Sequence, residues 1–235
     1  MSVIPVDFRA LQHGDLDYSH AEWHESQQSQ QSQSDFSAIN LGASLYVPAT
    51  RLDLATIASG RKLPELRSVI FCTEDAVHER DLEAALSHLA ALLPELKSGP
   101  LLRFIRPRNP AILRRLLQME GIERIHGFVL PKFGPHTLGD WLRVWDDRHG
   151  HYLLPILETA EVFDRRRMEL LRDRLEDSGL GEQVLGLRIG GNDLLNLLGI
   201  RRARGATIYD TPSVSYTHLR AHETDSYLVC RLLLE

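Results

Sequence analysis

Cysteine is scarce in this chain of 235 residues, which contains only Cys72 and Cys230. Two cysteines are too few for a disulfide framework, so the sequence predicts a cytoplasmic protein. No apolar run approaches the roughly 18 residues of a membrane span, and no signal peptide is recognisable at the start, so no membrane association is expected. The formal net charge of −5 reveals no basic excess, which argues against nucleic acid as a partner.

Both ends of the chain differ in composition from the middle. Residues 1–40 lack strong periodicity and include the Gln/Ser tract Ser26–Ser34, so they are expected to form an extension with a flexible linker. Residues 214–235 resemble the conceptual translation of a sequencing adapter, and we exclude them from functional reasoning. The functional domain is therefore predicted to span residues 41–213.

The middle of the chain repeats a unit of one apolar run followed by one helical pattern. Continuous apolar runs are typical of strands buried on both faces of a parallel sheet. Six such runs begin near Ser44, Ser68, Leu101, His126, Tyr152 and Val184. No Gly-rich dinucleotide-binding turn follows the first run, so an α/β barrel is favoured over an open sheet. A complete barrel has eight strands, and the sequence therefore predicts a (β/α)8 TIM barrel truncated after its sixth unit.

Two helix starts are marked by capping residues. Asn109 followed by Pro110 is typical of an N-cap and the first helical position. Thr137 and Asp140 have the spacing of a capping box, in which the threonine hydroxyl accepts a hydrogen bond from the first turn. Helices are therefore predicted to begin at both places.

Charged residues follow the apolar runs at the point where each predicted strand ends. They are Glu74, Asp75, Arg106, Lys132, Glu158 and, after a short glycine turn, Asp193. The carboxyl ends of barrel strands all point to one face, where active sites lie, so we expect these side chains to meet in one cavity. Salt bridges at the barrel rim are the structural alternative for each residue taken singly, whereas the whole set favours catalysis.

The strand-end motifs also carry a family resemblance, which covers about Leu41 to Pro212. In order they are SLYVPATR, SVIFCTEDAV, FIRPRNP, GFVLPK, LLPILET and LRIGGNDLLNLLG. This series resembles the HpcH/HpaI aldolase and citrate lyase β-subunit superfamily, and in particular its C–C bond lyases of the TIM-barrel fold. The resemblance implies a lyase with Mg²⁺, or another divalent cation such as Mn²⁺, that acts next to a carbonyl. It also implies a small-molecule substrate, either a 2-oxo or hydroxy acid or an acyl-CoA thioester, and a homo-oligomeric full-length form.

Matched to the family motifs, the strand-end residues acquire expected roles. Glu158 of the LET motif and Asp193 of GGNDL would be the metal ligands, as hard carboxylate oxygens suit magnesium. Arg106 would grip a carboxylate or carbonyl oxygen of the substrate with its planar guanidinium. Glu74 and Asp75 would hold metal-bound waters and orient Arg106.

Arg51, Lys132 and Cys72 also have expected roles, and two other functions are possible for the same barrel. Arg51 would add positive charge for a phosphate or carboxylate, and Lys132 would serve equally well as a substrate contact or in a structural ion pair. Cys72 stands where the family often has aspartate, and its apolar strand predicts a small buried residue. A phosphoenolpyruvate-mutase-like enzyme on the same barrel and a non-catalytic interaction module remain the alternatives.

Overall fold

A computed structural model of the protein describes residues 38–146 and 148–201. Six strands alternate with six α-helices, joined by short 3-10 turns. The strands are β1 (Ser44–Pro48), β2 (Ser68–Cys72), β3 (Leu102–Arg106), β4 (Gly127–Leu130), β5 (Tyr152–Leu157) and β6 (Arg188–Ile189). The helices are α1 (Leu54–Ala58), α2 (Leu82–Leu92), α3 (Pro110–Leu116), α4 (Leu138–Leu142), α5 (Arg165–Asp177) and α6 (Gly191–Leu197).

The strands form one sheet in the order β1-β2-β3-β4-β5-β6, and every neighbouring pair is parallel. Sequential parallel strands with a helical crossover after each are the arrangement of a β/α barrel. The predicted fold class is confirmed, and six of the eight strands of such a barrel lie within the described residues.

Both faces of the sheet are buried, which explains the uninterrupted apolar runs of the sequence. One face packs against the helices through side chains such as Phe71, Ile105 and Phe128. The opposite face, which lines the inside of a barrel, carries Ile70 and Phe104 among its apolar side chains. Alternate residues of one strand therefore enter different cores, as the two-residue period of a strand requires.

The last strand is much shorter than its apolar run suggests. The run from Val184 touches β5 by a single bridge between Leu153 and Val184, leaves the sheet, and rejoins it as the two-residue strand β6. Glycines 186, 190 and 191 interrupt this run. Glycine weakens a strand because its backbone loses more freedom on ordering and it offers no side chain to pack. The chain consequently turns into α6 directly after Ile189.

The two predicted caps have different outcomes. Asn109 caps α3 as expected, since its side-chain oxygen accepts a hydrogen bond from the Ile112 N–H at 3.0 Å. The capping box at Thr137 was a wrong prediction, because the Thr137 hydroxyl accepts from the Gly134 N–H at 3.0 Å and donates to the Lys132 carbonyl at 2.9 Å. Threonine hydroxyls compete for nearby backbone groups, and this one stabilises the turn before α4.

Removal of the Asn109 cap is expected to lower the free energy of unfolding by about 1 kcal/mol. The Asn109→Ala variant leaves the Ile112 N–H without its acceptor, whereas Asn109→Ser retains an oxygen that can accept the same bond. Urea denaturation of both variants measures the difference. Equal destabilisation by alanine and serine would contradict the capping role.

Two further sequence predictions concern the chain outside the domain. The 1–40 extension lies outside the described residues except for positions 38–40, and the 214–235 tail lies wholly outside them. Among the helices of the described part, none combines the length and apolar character needed to cross a lipid bilayer.

Candidate active site

Five of the six strand-end residues meet at the carboxyl edge of the sheet. Glu74 and Asp75 directly follow β2, Arg106 ends β3, Lys132 follows β4 and Glu158 follows β5. The parallel register, in which Cys72 pairs with Arg106, brings these strand ends side by side. We call these five residues the charged cluster. It is the only group of predicted site residues that are in direct contact within the described ranges.

Arg106 lies at the centre of the charged cluster. Its Nη2 atom is 2.7 Å from Glu74 Oε2, 3.1 Å from Asp75 Oδ2 and 3.3 Å from Glu158 Oε1. The side chain is only 9% exposed. Burial alone lowers the pKa of Arg106, but the charges of Glu74 and Glu158 outweigh it, so the pKa lies above its usual value. The guanidinium is therefore a permanent cation held by three carboxylates.

One donor of this guanidinium remains available. The buried Nε atom of Arg106 has no hydrogen-bond partner in the described part of the chain. A buried donor without an acceptor is energetically costly, and such donors in a charged pocket often face a ligand oxygen. The Nε–H of Arg106 is therefore a donor that the carboxylates of the charged cluster leave unsatisfied.

Lys132 contacts the charged cluster through both its side chain and its backbone. Its Nζ donates to Glu74 Oε1 at 2.8 Å, and its backbone N–H donates to Glu158 Oε1 at 2.7 Å. The residue has a φ of 49°, in the left-handed region that non-glycine residues rarely adopt. Backbone strain of this kind persists where surrounding contacts enforce it, and the Thr137 bond to the Lys132 carbonyl is one such contact. Lys132 thus forms the ion pair that was one of its two predicted roles.

Asp75 is the most accessible acid of the charged cluster, with its side chain 58% exposed. Its backbone N–H donates to Glu74 Oε2 at 2.8 Å, which orders the first turn after β2. Burial raises the pKa of Asp75, but hydrogen bonding with Glu74 and the charges of Arg106 and Lys132 more than compensate, so the pKa is lowered. Asp75 therefore stays ionised at neutral pH.

Glu158 is the most buried acid of the charged cluster, with its side chain only 2% exposed. Burial, with a smaller contribution from the negative charge of Asp193, outweighs the opposing effect of Arg106 and raises the pKa of Glu158 to about 7. Gly190 packs tightly on this carboxylate, since a Cβ at position 190 would lie 2.3 Å from Glu158 Oε2. Only glycine permits the turn between β6 and α6 to approach Glu158 so closely.

Asp193 stands in the first turn of α6, directly after the Gly190 turn. Its carboxylate makes no hydrogen bond or ion pair with any residue of the described part, although its charge acts on Glu158. Two neighbouring carboxylates, one of them buried, leave a negative potential that a cation would neutralise.

The donor set around Glu158 and Asp193 fits a magnesium ion. Mg²⁺ prefers hard oxygen ligands, takes one or two protein carboxylates and keeps several waters. Within residues 38–146 and 148–201, no group of three or more His, Cys, Asp or Glu side chains is arranged around one point. A site with two carboxylates and waters is therefore the form that these residues allow.

Arg51 lies apart from the charged cluster. Its guanidinium forms a surface ion pair with Asp53, with Nε 2.7 Å from Oδ1. Its role in binding a phosphate or carboxylate stays a prediction. Cys72 is buried in β2, and burial raises the pKa of its thiol. The thiol therefore stays protonated near neutral pH, in keeping with the expected small buried residue.

Three residues of the site were missed by the sequence analysis. The ring of Tyr46 in β1 contacts two guanidinium groups, with its centroid 5.8 Å from Arg106 Cζ and 5.1 Å from Arg188 Cζ. Arg108 donates to the backbone carbonyls of Thr73 and Glu74, each at 3.3 Å, and so braces the loop that carries Glu74. Arg188 could have been identified from the sequence, because it is a charged residue within an apolar strand. The sequence around Tyr46 and Arg108 contains no pattern that predicts their contacts.

Residues 35–219 match the protein family described as C-C bond lyase of the TIM-barrel fold. A search of curated proteins finds no significant match.

Several solved structures share the fold. A lead(II) complex of Haloferax volcanii malate synthase is 17% identical with a TM-score of 0.61, covering 78% of this chain and 60% of the synthase. Protein CitE of Mycobacterium tuberculosis with magnesium and acetate is 21% identical with a TM-score of 0.51, covering 80% of this chain and 73% of CitE. The same protein with magnesium, acetoacetate and coenzyme A is 22% identical with a TM-score of 0.50, covering 78% and 62%. The chain thus spans about 60% of the length of the malate synthase.

Proposed function

Because the chain belongs to the family of C-C bond lyases of the TIM-barrel fold, we propose that it cleaves or forms a carbon–carbon bond next to a carbonyl in a magnesium-dependent reaction. The observation that carries this proposal is the buried guanidinium of Arg106, which contacts three carboxylates at the carboxyl edge of the sheet. Cleavage next to a carbonyl leaves an enolate, and fixed positive charge stabilises it.

Glu158 and Asp193 are the residues that would hold the divalent cation, Mg²⁺ or Mn²⁺. Such an ion supplies Lewis-acid stabilisation of negative charge on the substrate oxygens. The Mycobacterium tuberculosis CitE structures contain magnesium, which supports the choice of metal. The backbone N–H of Lys132 holds Glu158 Oε1 at 2.7 Å and would orient this carboxylate toward the ion.

Arg106 would bind the substrate oxygen on which negative charge develops. Its Nη2 atom is already fixed by Glu74, Asp75 and Glu158, so the guanidinium needs little reorganisation when the charge appears. Its Nε–H is the donor left for the substrate. Glu74 and Asp75 would act by positioning Arg106, and the accessible carboxylate of Asp75 would hold a metal-bound water.

The proposed substrates are small anionic carbonyl compounds, either 2-oxo or hydroxy acids or acyl-CoA thioesters. The CitE structure with acetoacetate and coenzyme A and the Haloferax malate synthase with magnesium and glyoxylate support this class. Lys132 and Arg51, both accessible, would contact the anionic parts of such a substrate. The substrate therefore would enter from the carboxyl edge of the sheet.

Magnesium binding is expected to be about tenfold tighter at pH 8 than at pH 6. With a pKa of about 7, Glu158 is mostly protonated at the lower pH and mostly ionised at the higher one, and a proton on Glu158 competes with the metal. Isothermal titration with MgCl₂ in buffers of different ionisation enthalpy measures both the affinity and the proton released. Absence of binding at both pH values would contradict the metal assignment and favour a non-catalytic interaction module.

A further inference from the structure

A cavity opens at the end of the sheet opposite to the charged cluster, where β3, β4 and β5 begin. Its volume is about 630 Å³, and its lining includes Leu96, Lys97, Arg103, Arg124 and Tyr152. Arg103 is three residues before Arg106 on the same strand, so it lies roughly 10 Å from it along the strand and points to the other face. The cavity is therefore separate from the charged cluster.

Arg103 is a buried cation without a counter-ion. The residue is only 4% exposed, and its Nε donates to the Ala58 carbonyl at 2.8 Å. Within the described ranges its guanidinium forms no ion pair with a carboxylate, in contrast to Arg106 with three. Burial lowers the pKa of Arg103 and no acidic side chain opposes the effect. Buried charges are normally paired or bound to a ligand.

The other residues that line the cavity combine positive charge with apolar surface, which suits an anion with an apolar part. Lys97 adds positive charge at the exposed rim, where Arg124 forms an ion pair with Glu123, the one acidic residue in the lining. Arg124 is anchored by a hydrogen bond from Nη1 to the Leu96 carbonyl at 2.9 Å. Apolar surface comes from Leu96, Ile125 and the ring of Tyr152. The volume lies within the roughly 300–1,000 Å³ of small-molecule sites.

We propose that this cavity binds an organic anion whose phosphate or carboxylate head pairs with Arg103. The planar guanidinium presents parallel N–H donors that match either head group. Lys97 at the rim would add attraction, and the organic part would lie against Leu96 and Tyr152. The proposal is independent of the lyase reaction, because it uses none of the residues of the charged cluster.

The test uses the full chain with EDTA and three probes, namely adenosine monophosphate, succinate and inorganic phosphate. At least one organic anion is expected to bind saturably at millimolar or lower concentration, more tightly than inorganic phosphate. Hydrogen exchange measured by mass spectrometry should slow in peptides covering 96–103 and 123–127, and not in those covering 157–163. Absence of saturable binding by both organic anions, or protection only at 157–163, would overturn the proposal. If inorganic phosphate bound as tightly as the organic anions, the proposal that the organic part of the ligand contacts the cavity would be wrong.

Substitutions of Arg103 and Lys97 test whether these side chains bind the anion. Arg103→Gln is expected to weaken binding at least about tenfold, as charged hydrogen bonds to a ligand do. Lys97→Gln, a substitution at an exposed position, should weaken it by about threefold. Lys62→Gln is the matched control, because Lys62 pairs with Asp53 and is not among the residues that line the cavity. Unchanged affinity in the Lys97 variant, together with unchanged affinity in any folded Arg103 variant, would contradict the assignment.

Discussion

Glu158→Gln is expected to abolish the metal-dependent reaction, with kcat/KM reduced by at least about 10³-fold. Glutamine keeps the shape of the side chain and an oxygen that can accept the Lys132 N–H bond, but it removes the negative charge that a divalent cation requires. The measurement is magnesium-dependent cleavage or enolisation of 2-oxo acids, hydroxy acids and acyl-CoA thioesters. Asp193→Asn is expected to behave in the same way.

The same substitution is expected to preserve the fold, which separates loss of activity from loss of structure. Burial raises the pKa of Glu158 to about 7, above the usual value for glutamate, so at pH 8 the ionised side chain is less favourable in the folded protein than in the unfolded chain. A neutral glutamine should therefore leave the free energy of unfolding at pH 8 unchanged or higher. Glu169→Gln is the matched control, since Glu169 forms an exposed ion pair with Arg165. Full activity in both the Glu158 and Asp193 variants would refute the metal site.

Arg106→Met is expected to lower the free energy of unfolding by about 3–5 kcal/mol. Removing the guanidinium leaves Glu158 buried without the cation that compensates its charge, and leaves Glu74 with Lys132 alone. Arg115→Met is the matched control, because Arg115 forms an exposed ion pair with Glu83 and such pairs contribute about 1 kcal/mol or less. Chemical denaturation at pH 8 gives both values. An equal decrease in the free energy of unfolding in the two variants would show that the buried contacts of Arg106 stabilise the protein no more than an exposed ion pair does.

A double substitution tests the origin of that loss. If the instability of Arg106→Met comes from uncompensated carboxylates, adding Glu158→Gln should recover part of it, since one buried charge is removed. The recovery is read from the same denaturation curves as a non-additive interaction between positions 106 and 158. Strict additivity would place the loss in packing around Tyr46, whose ring lies over the guanidinium.

The place of the site was predictable from the order of residues along the chain. Parallel strands end at one edge of the sheet, so Glu74, Arg106 and Glu158 had to share that edge once the strands were recognised. Side-chain partners were not predictable in the same way. Arg51 has the strand-end position of the others, yet it pairs with Asp53 two residues away. A flexible side chain at a loop takes the nearest opposite charge, and sequence position alone does not reveal which one that is.

The backbone conformation and the close contacts at the site could not be predicted from the sequence pattern either. The N–H of Lys132 reaches Glu158 because residue 132 adopts a positive φ, a choice that no property of lysine suggests. The sequence shows a glycine turn before Asp193, but the need for glycine at position 190 is apparent only from the contact with Glu158 Oε2. The cavity at Arg103 is formed by loops before three different strands, so it cannot be predicted from any single stretch of the sequence.

The amino-acid sequence by itself determined the parallel strands, the helices between them and the edge at which the acids, Arg106 and Lys132 gather. These properties depend on apolar periodicity and chain order, which are local and additive. Only the tertiary structure decided which carboxylates hold Arg106, which acid becomes buried enough to carry a raised pKa, and which arginine stays without a counter-ion. Those outcomes depend on distances of a few ångströms between residues far apart in the chain, and electrostatic energy changes steeply with both distance and burial.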